Sequence, residues 1–325
     1  MSLVLIHSSR FAEHRPPPGH PERPERAEVM EVVAKHWRSK GIEIVAPHPA
    51  ADADLARVHD PGYVRQIVAT GGKAVELEPD TYTSPESNEI AHLAAGAVID
   101  GVDWVVSDEF RTAFALVRPP GHHAERDRAM GFCLFNNVAV AAAHARELGI
   151  GKIAIVDYDV HHGNGTQHIF ERDPTVLYLS LHQYPYYPGT GAATEIGREH
   201  GRGFTVNLPL EAGAVAEDYK VLFDQVVVPV TRQFRPDLLL VSAGFDAHER
   251  DPLGGMRLGS EAFVAMTLEL RAVAQECCRG RMVLVTEGGY DLQGFADSLD
   301  GVIAALVEPG SQPKWPTSGI SSTRG

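Results

Sequence analysis

Cysteine is scarce in this chain: there are three among 325 residues, and Cys277 and Cys278 are adjacent. Adjacent cysteines are poorly placed to pair with each other, so the sequence predicts free thiols in a reducing compartment rather than a disulfide framework. Long apolar runs are missing too, since none reaches the roughly 18–20 residues that span a bilayer. The first residues lack the basic segment of a secretory signal. We therefore expect a cytoplasmic protein with no membrane partner.

Positive charge is in deficit as well. Lysine and arginine number 29 against 43 aspartates and glutamates, which gives a net charge of −14. Such a charge argues against a nucleic-acid partner and is compatible with a cationic one. Internal repeats and low-complexity segments are also lacking, which excludes a solenoid architecture. A homo-oligomer stays compatible with the sequence.

Short apolar runs alternate with helical patterns along the chain. The runs occupy residues 2–6, 112–117, 152–156, 175–181, 204–208, 237–244 and 281–289, and helical patterns cover 87–106, 135–149, 216–234 and 260–278. Strands that are apolar throughout and alternate with helices predict a parallel sheet covered on both faces. We expect one α/β domain over residues 1–308 and a loosely packed tail over 309–325.

Polar residues cluster directly after four of these runs. The segments are "RPPGHHAERDRAMGFC" (118–133), "DYDVHHGNGTQ" (157–167), "SAGFDAHERDPLGG" (242–255) and "TEGGYDL" (286–292). Open parallel sheets bind ligands beyond the carboxyl ends of their strands. The sequence therefore predicts one site, built from four strand ends.

The segment "DYDVHHGNGTQ" indicates a metal site. If the strand stays extended, Asp157, Asp159 and His161 share one face, and His162 points to the other. Asp159 and His161 supply two ligands of a catalytic zinc, and Asp246 is the best candidate for the third. Asp157 would then orient an imidazole from behind. The alternative, that these residues only cap strand ends, fits one aspartate better than the whole cluster.

The tandem histidines His122 and His123 follow the rigid "RPPG" segment. Adjacent loop histidines are commonly solvated, but opposite a metal site one could take a proton from water and the other could serve the leaving group. Asp157 and Asn164 are the available partners for their far nitrogens. Tyr290 could donate its hydroxyl to a developing oxyanion, although a tyrosine after two glycines, taken in isolation, is better explained as a packed aromatic.

Five motifs in this order resemble the histone deacetylase superfamily, which includes bacterial histone-deacetylase-like amidohydrolases and acetylpolyamine amidohydrolases. They are "RPPGHHA…MGFCLFNN", "DYDVHHGNGTQ", "LYLSLHQYPYYPGTG", "SAGFDAHERDPLGG" and "EGGYDL", and the likeness runs from about residue 20 to residue 292. The resemblance implies an arginase/deacetylase-like three-layer α/β/α fold with a roughly eight-stranded, mainly parallel sheet.

The resemblance also implies roles for individual residues. One catalytic zinc would be held by Asp159, His161 and Asp246. His122 would be the general base with Asp157 behind it, His123 would assist the leaving amine with Asn164 behind it, and Tyr290 would polarise the carbonyl. Asn164 stands where some branches carry aspartate, and asparagine resembles the class II pattern. Because an amide offers no negative charge, we expect His123 to be protonated less readily than His122.

Substrate and monovalent-cation residues follow from the same resemblance. The substrate-binding positions are Phe132 and Tyr187 as tunnel walls, Gly131 and Gly289 as close-packing positions, Asp80 at the rim, and Leu253. Potassium or sodium would bind at one site with Asp157, Asp159, His161, Ser180 and Leu181, and at a second site with Phe170, Asp173, Val176 and Phe204. Arg26 resembles an arginine of an internal cavity below the zinc.

The expected reaction is zinc-dependent removal of acetyl or acyl groups from the ε-amine of lysine. An acetylated polyamine is the alternative substrate, but Leu253 stands where a polyamine-preferring branch carries glutamate, and leucine offers no attraction to a second ammonium group. A non-catalytic acetyl-lysine binding module is disfavoured by the presence of Tyr290. Arginase-like dinuclear manganese chemistry is disfavoured because it needs more carboxylates. Cys133, beside Phe132, reads as a small packed hydrophobe.

Overall fold

The computed structural model describes residues 2–308 and 310–316, and eight of the ten strands in these residues form a single parallel sheet. The strands are β1 (Ser2–His7), β2 (Glu43–Val45), β3 (Val75–Glu78), β4 (Thr81–Thr83), β5 (Arg111–Leu116), β6 (Ile153–Asp157), β7 (Val176–Gln183), β8 (Thr205–Leu210), β9 (Leu238–Ala243) and β10 (Met282–Thr286). The sheet order is β2-β1-β5-β10-β9-β6-β7-β8, and β3 pairs with β4 in a separate antiparallel hairpin.

All seven apolar runs are strands of this sheet, so this part of the prediction is confirmed. Strands β6, β9 and β10 are buried at every position, which explains why they read as continuous apolar runs. The edge strand β2 was not predicted. It is three residues long and only partly buried, so it carries too little apolar periodicity to be recognised.

Helices cover both faces of the sheet, as the α/β pattern predicts. They are α1 (Glu25–Ser39), α2 (Asp52–Leu55), α3 (Pro61–Val68), α4 (Ser87–Val106), α5 (Asn137–Glu147), α6 (Asn164–Phe170), α7 (Ala216–Leu222), α8 (Val228–Phe234), α9 (Ser260–Cys277) and α10 (Leu292–Val307). Helix α4 packs on β5 and against α5, whereas α10 packs between α1 and α9. The stretch 216–234 is α7 and α8 joined by a π-helical turn at Phe223–Val227.

The four central strands are the ones followed by the polar segments. Strands β5, β10, β9 and β6 are neighbours in the sheet, and all run in the same direction, so their carboxyl ends meet at one edge. Asp157, at the end of β6, pairs in register with Ser242 on β9 and Ser180 on β7. The topology therefore gathers the residues of the predicted site at the middle of that edge.

The described part of the tail contacts the domain. The ring of Trp315 packs against Phe223 with 5.5 Å between ring centres, and Arg271 donates a hydrogen bond of 2.7 Å to the carbonyl of Ser311. Residue 309 and residues 317–325, which belong to the predicted tail, lie outside the described residues. Within residues 2–308 and 310–316, no helix has the length and apolar character needed to cross a membrane.

Candidate active site

Two aspartates and a histidine converge at the edge of the sheet. Asp159, His161 and Asp246 each offer a ligand atom, and these atoms lie within 4.8 Å of one another. The Nδ1 atom of His161 is 3.1 Å from both Asp159 Oδ1 and Asp246 Oδ2. All three residues are buried. The structure thus brings together the three ligands that the sequence predicts.

The backbone builds this cluster differently from the predicted extended strand. Strand β6 ends at Asp157, so the assumption of a strand through residue 161 was wrong. Instead, the N–H of Asp159 donates to Asp157 Oδ1 (3.1 Å), and the N–H of His161 donates to Asp159 Oδ1 (2.8 Å). These side-chain-to-backbone bonds fold the segment into successive turns. Asp159 and His161 meet through the turns rather than through strand alternation.

The donor set fits a divalent cation. Two carboxylates and one imidazole are ligands that zinc accepts. Burial and the neighbouring Asp159 carboxylate raise the pKa of Asp246 to about 7. Burial also opposes ionisation of Asp159, but the imidazoles of His122 and His161 outweigh it and lower its pKa. Two buried carboxylates side by side are costly without a compensating positive charge, which a bound cation would supply.

His122 is a buried imidazole held between carboxylates. Its Nδ1 lies 2.9 Å from Asp157 Oδ2, and its Nε2 lies 3.8 Å from Asp159 Oδ1. The hydroxyl of Tyr178 donates to Asp157 Oδ2 at 3.0 Å and fixes that carboxylate. Burial lowers the pKa of His122, but the carboxylates, Asp157 first, outweigh it and raise the pKa to about 10. The predicted pairing of His122 with Asp157 is present.

His123 has an amide partner instead. Its Nδ1 lies 2.7 Å from Asn164 Oδ1, at the first residue of α6. Burial lowers the pKa of His123 well below its usual value, and the imidazoles of His122 and His161 lower it further. His123 is therefore harder to protonate than His122, as expected. The main cause is burial beside other imidazoles, in addition to the missing charge on Asn164.

Tyr290 follows β10 and lies against the same cluster. Its backbone N–H donates to Asp251 Oδ2 at 2.6 Å, which fixes the start of the loop before α10. The guanidinium of Arg26 lies 5.0 Å from the centre of the tyrosine ring and donates to the carbonyls of Gly289 (2.7 Å) and Glu287 (2.6 Å). Burial raises the pKa of Tyr290 well above its usual value, although Arg26 opposes this. The phenol therefore stays protonated and can donate a hydrogen bond.

A narrow cavity of about 190 Å³ opens above these residues. Its lining comprises Asp80, His123, Gly131, Phe132, His161, Tyr186, Tyr187, Leu253 and Tyr290. Phe132 makes an edge-on contact with Tyr290 at 5.7 Å, and Tyr187 makes one with His123 at 5.1 Å. Five of the six predicted substrate positions, all except Gly289, line this cavity. The cavity has aromatic walls and reaches the cluster of Asp159, His161 and Asp246.

The two predicted close-packing glycines have different surroundings. Gly131 has φ +57°, and a Cβ atom there would come within 2.4 Å of the His123 imidazole. A side chain at this position would displace that ring. Gly289 has φ +126° and packs against Phe295 and Phe245 instead, below the cavity lining. Cys133, next to the wall, is fully buried, and burial raises the pKa of its thiol well above the usual value.

Sequence reasoning missed several residues of the site. Tyr186 stacks on His161 with 5.7 Å between ring centres and 21° between ring planes. The carboxylate of Glu287 accepts the backbone N–H of Gly121 (2.7 Å) and of His122 (3.2 Å) and so holds the histidine loop. Glu287 lies in the "EGGYDL" motif, but the sequence pattern assigns it no role. The signal that could have identified Glu287 is its place directly after the apolar run of β10, where a charged residue is unusual unless it is functional.

The residues proposed for monovalent cations lie around β6 and β7. Asp157 faces Ser180 across the sheet, and Leu181 follows on β7. At the second predicted site, the carbonyl of Phe170 accepts the N–H of Asp173 (2.9 Å), and the carbonyl of Phe204 accepts the N–H of Tyr178 (2.9 Å). Val176 begins β7 beside them. Cation binding at both groups stays a prediction.

Comparison with known proteins agrees with this geometry. A family model described as the histone deacetylase domain matches residues 20–306. The histone deacetylase-like amidohydrolase of Pseudomonas aeruginosa is 41% identical over 305 residues, which cover 90% of this chain and 80% of that protein. Polyamine deacetylase HDAC10 of Homo sapiens is 40% identical over 316 residues, covering 92% of this chain but 46% of that protein.

A solved structure shows the same fold. The crystal structure of the HDA15 HD domain superposes with a TM-score of 0.89 at 38% sequence identity, over 96% of this chain and 91% of that chain. The eight-stranded parallel sheet covered by helices is thus the arginase/deacetylase fold. Since the family model spans most of the sequence and the relatives align along nearly all of it, this chain belongs to the histone deacetylase family.

Proposed function

We propose that this protein is a zinc-dependent amidohydrolase that removes acetyl groups from the ε-amine of lysine in proteins or peptides. One observation carries the proposal: a buried Asp–His–Asp cluster, two differently partnered histidines and a protonated tyrosine converge at the end of an aromatic-walled channel. A slender acyl-lysine chain is the kind of substrate that such a channel admits.

Asp159, His161 and Asp246 would hold the metal. When bound there, zinc would polarise an acetyl carbonyl, lower the pKa of a bound water and offset the carboxylate charge that raises the pKa of His122. His122 Nε2 then accepts a proton from the attacking water, while Asp157 holds Nδ1 at 2.9 Å and stabilises the resulting imidazolium.

Tyr290 acts on the carbonyl oxygen of the amide, and His123 acts on its nitrogen. The phenol of Tyr290 donates a hydrogen bond to the carbonyl oxygen as negative charge develops there. The proton that His122 takes from water is delivered to the departing nitrogen by way of His123 Nε2, so the amide and water become acetate and a free amine. The low pKa of His123 leaves Nε2 unprotonated before the reaction and makes the imidazolium, once formed, a strong donor to the basic amine.

An acetylated polyamine is the second candidate substrate. It is favoured by the 40% identity to a polyamine deacetylase and by the net charge of −14, which attracts polycations. Leu253 argues against it, because Asp80 is the only carboxylate at the described mouth of the channel and Leu253 adds none. We therefore place acetyl-lysine first.

The test is a substrate panel with controlled metal content. Purified protein is assayed for acetate release from acetyl-lysine peptides, longer acyl-lysine peptides and acetylated polyamines, before chelation, after chelation, and after reloading with zinc or magnesium. We expect chelation to abolish hydrolysis, zinc to restore it, and peptides to exceed polyamines. Hydrolysis by fully metal-free protein contradicts the zinc requirement. Zinc-loaded protein that binds acetyl-lysine without turnover identifies a binding module instead.

We also propose one or two bound potassium or sodium ions at the groups around Ser180–Leu181 and Phe170–Val176, and a cytoplasmic location without a nucleic-acid or membrane partner. Clustered backbone carbonyls near a buried strand end support the ions. Stability and activity in potassium, sodium and choline chloride at equal ionic strength test them. Equal melting temperatures in all three salts argue against structural ions.

A further inference from the structure

The amide that faces His123 has a carboxylate directly behind it. Asn164 Nδ2 donates to Glu125 Oε1 at 2.5 Å and to the backbone carbonyl of His123 at 3.2 Å. His168 Nδ1 lies 2.8 Å from the same Glu125 oxygen. The Glu125 side chain is 13% exposed and that of His168 is 37% exposed. A hydrogen-bonded chain therefore runs from the surface at His168, through Glu125 and Asn164, to His123.

We propose that Glu125 is a positioning residue of the deacetylation reaction: it fixes the orientation of the Asn164 amide, and it makes an amide rather than a carboxylate necessary at position 164. This inference rests on the proposed function. It concerns the chain's own hydrogen-bond network and assigns Glu125 no contact with substrate.

The first part follows from donors and acceptors. A terminal amide has two orientations of nearly equal shape, and its surroundings select one. If the Asn164 amide were reversed, its oxygen would face the Glu125 carboxylate, and its NH₂ group would face His123. The Glu125 carboxylate and the His123 carbonyl both require a donor, so the amide NH₂ points to them and Oδ1 points to His123.

This orientation sets the tautomer of His123. Because Oδ1 can only accept, the hydrogen of neutral His123 sits on Nδ1. The lone pair is then on Nε2, the nitrogen that is left for the cavity that His123 lines. An amide free to rotate would allow the opposite tautomer, whose Nε2 already carries the hydrogen and cannot take up a further proton from that side. Glu125 thus acts on the reaction through Asn164.

The second part follows from charge. Burial raises the pKa of Glu125, but the hydrogen bond from His168 outweighs it and holds the pKa below its usual value, so the carboxylate is ionised. An aspartate at position 164 would place an oxygen where Nδ2 now lies, 2.5 Å from Glu125 Oε1. Two ionised carboxylates at that distance repel strongly in a partly buried site. Asparagine at 164 and glutamate at 125 therefore work as one unit.

Four variants test the unit: Glu125→Gln, Glu125→Ala, Asn164→Asp and the double variant Asn164→Asp with Glu125→Gln. Glutamine can still accept the Asn164 hydrogen bond, so we expect Glu125→Gln to keep kcat within about threefold, and Glu125→Ala to lower kcat about tenfold at unchanged KM. Asn164→Asp should lower kcat about a hundredfold, and adding Glu125→Gln should recover about tenfold of that loss, because glutamine donates to the new carboxylate.

A spectroscopic readout separates positioning from general stability. In ¹⁵N-histidine-labelled protein without substrate, the His123 shifts should report the Nδ1–H tautomer in the unmodified protein and in Glu125→Gln, and a mixture in Glu125→Ala. Glu171→Gln is the matched control, since Glu171 lies near His168 without contacting Asn164, and it should change neither kcat nor the shifts. Zinc content and melting temperature are measured for each variant.

Two results overturn the inference. One is unchanged His123 shifts in Glu125→Ala. The other is a fall in kcat on Asn164→Asp that is equally large whether residue 125 is glutamate or glutamine. The shifts need no turnover. A protein that is inactive on every substrate but shows the predicted tautomer change contradicts the proposed function and leaves the positioning role supported.

Discussion

The floor and the rim of the channel are built by different parts of the fold. The floor, which we define as Asp159, His161, Asp246 and Tyr290, follows strand ends, and all four residues are buried. The rim, defined as His20, Asp80, Tyr186, Tyr187 and Leu253, comes from loops and is half-buried or exposed. Rigid strand ends suit chemistry that tolerates little displacement, and loops suit substrate selection. Floor substitutions should therefore change metal binding and kcat, and rim substitutions KM.

The largest effect is expected for Asp246→Asn. The change keeps the shape and removes one charged ligand, and it weakens the Val160 N–H hydrogen bond that Oδ1 accepts at 2.9 Å. We expect zinc occupancy to fall and activity to drop by about a thousandfold or more. Elemental analysis and turnover at fixed zinc concentration measure both. Asp297→Asn, an exposed aspartate of α10, is the control. Full activity of Asp246→Asn would contradict the role of Asp246 as a metal ligand.

Tyr290→Phe comes next. It removes one hydroxyl and leaves the ring contacts with Phe132 and Arg26. We expect kcat to fall about 10²- to 10³-fold, as for the loss of one oxyanion donor, with KM, zinc content and melting temperature nearly unchanged. Tyr63→Phe is the comparison, because its hydroxyl donates to the carbonyl of Leu134 away from the cavity, so only stability should change. Equal kcat for Tyr290→Phe and the unmodified enzyme would contradict its role.

The floor could be predicted from the sequence because two simple regularities meet there. Asp246 and Tyr290 follow apolar strands, and parallel strands bring their carboxyl ends together. The route within "DYDVHH" could not be predicted, since the turns depend on Asp157 and Asp159 accepting backbone N–H groups. The assumption of an extended strand therefore predicted the correct ligands, Asp159 and His161, from an incorrect backbone geometry.

The rim was less predictable for a physical reason. In "QYPYYPG" three tyrosines are candidates for the channel wall, and which ring faces the channel depends on loop conformation. The family resemblance predicts Tyr187 as a wall residue. No sequence periodicity indicates Tyr186, which stacks on His161. The partly buried Glu125–Asn164 pair could not be predicted either, because its members lie 39 positions apart in the sequence.

Leu253→Glu tests substrate choice at the rim. A carboxylate at the mouth beside Asp80 should attract the second ammonium group of a polyamine, so we expect the ratio of acetylpolyamine to acetyl-lysine kcat/KM to rise about fivefold. Leu253→Gln is the matched control of the same shape without charge and should shift the ratio little. The rise should shrink at high salt. An equal shift in both variants would mean that shape, not charge, sets the preference at this position.

The smallest effect is expected for His20, which contacts Asp80 of the rim and two neighbouring aromatic rings. Its Nε2 lies 3.1 Å from the carbonyl of Asp80, and its ring contacts Phe132 edge-on at 4.6 Å and Tyr82 at 5.7 Å. His20→Ala removes all three interactions, so we expect KM for an acetyl-lysine peptide to rise about threefold at unchanged kcat, because Phe132 and Asp80 lose a shared support. His20→Phe keeps the ring packing and should give a smaller rise. A fall in kcat as large as the rise in KM would show that His20 positions the floor residues as well, since only displaced catalytic groups would slow the reaction of bound substrate.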